Sequence, residues 1–141
     1  MGESVLIAAL IATVSLLALL PLWVSYCGTV LSSVRNFAPS DRVTSLVGTG
    51  GRDIVAEDFE RILQFVRLCP QAGGDRSVRA VASYYRFLGG FGSALGKFSP
   101  GLAVWVSSER VNCAHFAAVT LDRYISSSRN LLSEHAGEDL T

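Results

Sequence analysis

The chain has 141 residues with 12 basic and 12 acidic side chains, and half of its residues are hydrophobic. That charge balance removes the support for a nucleic-acid-binding surface or an acidic tail. Three cysteines, Cys27, Cys69 and Cys113, cannot all pair, which argues against a disulfide framework.

The first element is the run 5–24, twenty residues without a charge, in which Thr13 and Ser15 carry the only hydroxyls and Pro21 is the only breaker. As a helix rising about 1.5 Å per residue it is about 30 Å long, the thickness of a bilayer's hydrocarbon core. The four residues before it hold no Lys or Arg, and the run is longer than the apolar core of a cleavable leader. The sequence therefore predicts a retained transmembrane anchor. Residues 24–27 loosely match a lipoprotein cleavage box, but Tyr26 is too large for the position before Cys27. Trp23 and Tyr26 stand where an aromatic belt is expected. Ala8 and Ala12 form a small-xxx-small pair with Ser15 near the same side, a candidate contact with another transmembrane helix. Arg35, Arg42 and Arg52 follow the span, whereas Glu3 precedes it. The positive-inside bias predicts a cytoplasmic body with the N-terminus outside. The uncharged region continues to Val34, so 1–34 reads as anchor and stalk. Residues 35–52, rich in Gly, Pro, Ser and Thr, read as a linker.

The body, 53–132, reads as a small bundle of about three helices. Asp53 is a candidate N-cap for a helix from 54 to about 69. Val55, Phe59, Ile62, Leu63 and Val66 make its apolar stripe, and Glu57 is placed to pair with Arg61 on the other face. Pro70 and Gly73-Gly74 end it. Asp75 or Ser77 caps a second helix to about Leu88, with Val78, Val81, Ala82 and Tyr85 inward. Arg76, Arg79, Ser83 and Arg86 give this helix a basic face beside Tyr84. One reading leaves that face in water, balanced by Glu57, Asp58 and Glu60; the sharper one places it on anionic lipid headgroups. The glycines of 89–96 interrupt the pattern, at about 1 kcal/mol each inside a helix. They predict a flexible apolar corner at which Phe87, Leu88, Phe91, Leu95 and Phe98 need cover from membrane or partner. Ser99-Pro100 restarts a third helix that runs to about Leu132. Its segment 111–121 is apolar nearly all round, which implies partners on every side. The stretch 102–106 is the best strand candidate and has nothing to pair with, so the fold class is all-α. The polar tail 133–141 is expected to fray.

No chemical signature emerges. Cys113 and His115, two apart on a helix, point about 200° away from each other. His115 and Asp122 share a face but stand about 10 Å apart along the axis. The string Gly90-x-Gly92-x-x-x-Gly96 follows a helix, not the strand a phosphate-binding loop requires. No metal-binding spacing is present. The expectation is a protein with no catalytic, metal or cofactor residues, and a buried His115 bonded to a neighbour. By elimination the sequence points to a non-catalytic accessory or scaffold subunit of a larger membrane assembly. The alternative is a membrane-tethered adaptor or regulatory module that recruits a soluble partner or contacts anionic lipid. The partners expected are other membrane-protein subunits, the bilayer and anionic headgroups, with no nucleic acid.

Overall fold

The computed structural model describes residues 1–48 and 53–138. Among these are five α-helices and no strand: α1 Gly2–Ser33, α2 Asp41–Val47, α3 Asp58–Leu68, α4 Arg76–Leu95 and α5 Pro100–Glu138, with a 3-10 turn over Pro70–Gly74 between α3 and α4. The all-α architecture with one long apolar N-terminal helix and a helical bundle behind it is as the sequence indicates.

α1 is long and apolar enough to cross a membrane. It runs unbroken through Pro21, which lacks an N–H for the Leu17 carbonyl. Residues 5–19 are exposed along their whole length, Ala8, Ala12 and Ser15 included. From Trp23 onward the same helix enters the bundle. Cys27 is fully enclosed, Leu31 and Val34 are buried, and the Trp23 ring meets Tyr84 and Phe87 edge-on at 5.6 and 5.4 Å. The expected stalk is thus a wall of the body, and the body begins well before residue 53. Its apolar face is too short to announce itself beside the apolar run that precedes it.

The linker expected over 35–52 contains α2. Ser40 stands at its N-cap position and Gly48 closes it in the left-handed conformation, φ 74°, where a side chain would be strained. Val43 and Val47 are buried, and the Ser40 hydroxyl donates to Asp122 Oδ1 at 2.5 Å, fastening α2 to α5. Residues 49–52 of that stretch lie outside the described residues.

α3 starts at Asp58, not at Ile54. Asp53 is not its cap; the Asp58 carboxylate is buried and accepts from the Val55 amide at 3.1 Å, closing the turn that leads in. Asp58 is thereby withdrawn from the surface where it was expected to balance the basic face. Arg61, expected beside Glu57, donates to the Val47 carbonyl at 2.8 Å, a cation at the C-terminal end of α2. Phe59, Ile62, Leu63 and Val66 are buried as their spacing predicts.

Asp75 caps α4, accepting from the Ser77 and Val78 amides at 2.9 and 3.5 Å. Tyr124 of α5 donates to its other oxygen at 2.5 Å. Val78, Val81, Ala82 and Tyr85 point inward as expected, but so do Tyr84 and Leu88, which were assigned to the basic side and to the corner. α5 is the central helix and touches each of the other four. Its segment 113–121 is enclosed except for half-buried His115. It continues as helix to Glu138, beyond the expected end at Leu132; 139–141 lie outside the described residues.

Candidate functional site

Two surfaces stand out, an apolar helical hairpin tip and a polar cleft. The tip is where the glycine-rich corner was expected. α4 does not stop at Leu88 but continues as helix through Gly89, Gly90 and Gly92 to Leu95. The reason is packing. A Cβ at Gly92 would sit 2.9 Å from Val106 Cγ1, and Gly96 faces Ala103 Cβ at 3.6 Å. Gly92, lacking a Cβ, lets α4 and α5 approach closely, which outweighs its low helix propensity, while Gly96 stands at the C-cap, where a Cβ would meet the Gly92 carbonyl. The two helices run antiparallel: Gly92 meets Val106, Tyr84 donates to Glu109 Oε2 at 3.2 Å, and Asp75 meets Tyr124.

The corner is therefore helical as far as Leu95 and turns over 96–98 into α5, and its apolar side chains divide. Phe87 stacks on Phe91 with ring centroids 5.4 Å apart and is half-buried under Trp23. Leu95 and Phe98 are exposed, Phe98 by 83%. Val104, 71% exposed, and Trp105 join them from α5. The last two were missed, although the sequence held the signal: between Arg86 and Glu109 the 22 residues 87–108 carry one charge, Lys97. Arg76, Arg79, Ser83 and Arg86 are exposed along α4, so the basic face exists, without Tyr84.

The polar cleft, about 520 Å³, lies between the end of α1, α2 and α5, and is lined by Arg35, Asp41, Thr44, Asp53, Asn112 and His115 among others. A smaller recess of about 100 Å³ shares Arg35, Asn112 and His115 and adds Glu109. His115 is half-buried, and its Nε2 has no hydrogen-bond partner among the described residues, contrary to the bonded histidine expected. Cys113 is fully buried on another side of α5 and does not line the cleft. Burial, reinforced by the charge of Glu109, pushes its thiol up to about 12. At neutral pH it is a neutral thiol with no access to solvent, the opposite of an activated nucleophile. The described residues contain no group of three or more His, Cys, Asp or Glu arranged to hold a metal ion. The cleft offers opposite charges and hydrogen-bonding groups on an open wall, an arrangement suited to a polar contact.

No protein-family model matches the chain, and no curated protein or solved structure matches it. The functional reading rests on the geometry.

Proposed function

We propose that this chain is a single-pass membrane protein acting as a non-catalytic scaffold or accessory subunit, with its body on the cytoplasmic face. The observation that carries this reading is the continuity of α1. One helix passes from an exposed apolar stretch directly into the bundle, where Cys27, Leu31 and Val34 are part of the core. A recruiting adaptor works best on a flexible tether, whereas a helix shared by span and body fixes the body's height and tilt at the bilayer. The sole candidates for flexible connection between α1 and α2 are a few residues whose flanks are fastened by Ser40–Asp122 and by Arg123 over the Phe37 ring at 5.2 Å. Arg35 and Arg42, exposed just beyond the helix, support the cytoplasmic side.

α5 supports a binding role. At 39 residues it is about 58 Å long. Its last turns leave the bundle with Leu131 and Leu132 exposed. The second reading, contact with anionic lipid, narrows to one residue of the basic face. Arg86 adjoins Phe87 at the level of Trp23, while Arg79 and Arg76 stand about 12 and 17 Å further along α4. Those two are more than a Debye length of about 8 Å from that level.

Purification in mild detergent followed by native mass measurement tests the scaffold reading. Stoichiometric co-purifying subunits are expected. A lone, monodisperse chain would overturn it.

A further inference from the structure

We propose that the α4–α5 hairpin tip is a second membrane attachment, entering the same leaflet through which α1 emerges, with Phe91, Leu95, Phe98, Val104 and Trp105 as its lipid-facing side chains. This rests on the reading of α1 as a membrane span, and it assigns the tip to lipid, leaving the rest of the body for protein partners.

Direction comes first. Trp23 meets Tyr84 and Phe87, whereas Gly28, Leu31, Ser32 and Arg35, later in the chain, line one recess with Glu109, Asn112 and His115 of α5, further from the tip. α1 and α4 therefore run in opposite directions. From Phe87 to Leu95 is eight residues, about 12 Å, and that distance is travelled back toward the exposed apolar part of α1. The tip comes down beside the span rather than pointing away from it.

Chemistry agrees with that placement. Arg86 and Glu109 bracket the tip, and the residues between them hold the single charge of Lys97. A lysine at a depth of about 5–10 Å, where amphipathic elements settle, can carry its ammonium back to the headgroups on its four-carbon stem. An unpaired backbone polar group is costly in lipid, and part of the turn's backbone is paired. Gly96 N–H donates to Gly92 O at 2.9 Å, Phe98 N–H to Leu95 O at 3.0 Å and Ala103 N–H to Ser99 O at 3.2 Å, while Pro100 has no N–H to satisfy. These bonds pair part of the turn's backbone within itself. Water is the wrong solvent for a cluster of large apolar side chains on one convex tip.

The test uses the full chain in lipid vesicles. Trp23→Phe leaves Trp105 as the sole tryptophan, since the chain has two. Lipids brominated on the acyl chain near the headgroup should quench its fluorescence severalfold more than aqueous iodide does. Iodide quenching without lipid quenching would mean a solvated tip, and protection from both would mean a protein partner or a second copy covers it; either overturns the proposal. If Trp23→Phe disturbs folding, a nitroxide on Phe98→Cys with Cys69→Ser keeps both tryptophans. It should show higher collision rates with oxygen than with an aqueous nickel chelate, and the reverse order overturns the proposal. A Leu10→Trp variant with both native tryptophans replaced by Phe separates the two readings. Deep-lipid quenching at position 10 with none at 105 defeats the hairpin alone, and absence at both defeats the span as well.

Discussion

At the level of single residues, the glycines of α4 behave differently from one another, and the difference is measurable. Gly92 has Val106 within 2.9 Å of its missing Cβ, whereas Gly89 and Gly90 have nothing within 4 Å. Gly92→Ala is expected to destabilise the protein by about 1–3 kcal/mol through overpacking. Gly89→Ala and Gly90→Ala are expected to stabilise it by up to about 1 kcal/mol through helix propensity. Urea titration in detergent reads all three; equal effects would mean the hairpin is not closely packed. Asp75 provides a pH-dependent counterpart. Burial would raise its carboxyl, but hydrogen bonds from Ser77, Tyr124 and the Ser77 and Val78 amides together outweigh that and hold it below its ordinary value. A lowered folded-state value means that folding favours the carboxylate. Its contribution is complete above the unfolded value of about 3.9 and disappears as pH falls through the lower folded one. Asp75→Ala should cost about 1 kcal/mol at neutral pH, as a lost N-cap does. The gap between wild type and variant should narrow on acidification through that range. A gap independent of pH would mean the carboxylate charge is irrelevant to the cap.

Among the elements, α1 joins an exposed apolar stretch to a stretch packed in the bundle. The apolar length of its exposed residues 5–19 was legible from the lack of charge, because hydrophobic length is a property of the sequence itself. Its packed stretch was not. Cys27, Leu31 and Val34 recur at three- and four-residue steps, yet Thr29, Ser32 and Ser33 between them suggested a stalk. Leu31→Ala is expected to destabilise the bundle by about 2–5 kcal/mol, as much as Ile62→Ala in α3. Glu60→Ala and Gln64→Ala, on the exposed face of α3, should stay within about 0.5 kcal/mol. A Leu31→Ala variant as stable as the wild type would detach α1 from the body. α2 was legible in hindsight from Ser40, Gly48 and the buried pair Val43 and Val47. Seven residues are too few to hold a helix on propensity, so its existence depends on docking against α5.

For the molecule as a whole, orientation is the property most open to a direct test. Cys27 and Cys113 are fully buried and report nothing about sidedness when labelled in the folded state. Arg129 is exposed on the projecting part of α5. A cysteine placed there, with Cys69→Ser, should resist an impermeant maleimide on intact cells and react after lysis. Equal labelling before and after would place the body outside and reverse the reading of Arg35 and Arg42.

The amino-acid order by itself determined the apolar length of α1, the all-helical class, the inward stripe of α3 and the enclosed middle of α5, because each follows from composition and periodicity within one segment. The tertiary structure decided the rest. Gly92 lies inside a helix instead of breaking it because Val106 packs where its Cβ would be. Asp58 turns inward to close a local turn. His115 and Arg35 line one recess only because the end of α1 lies against α5. The α4–α5 hairpin is set against α1 through the edge contacts of Trp23, a pairing across more than sixty residues that no local pattern encodes.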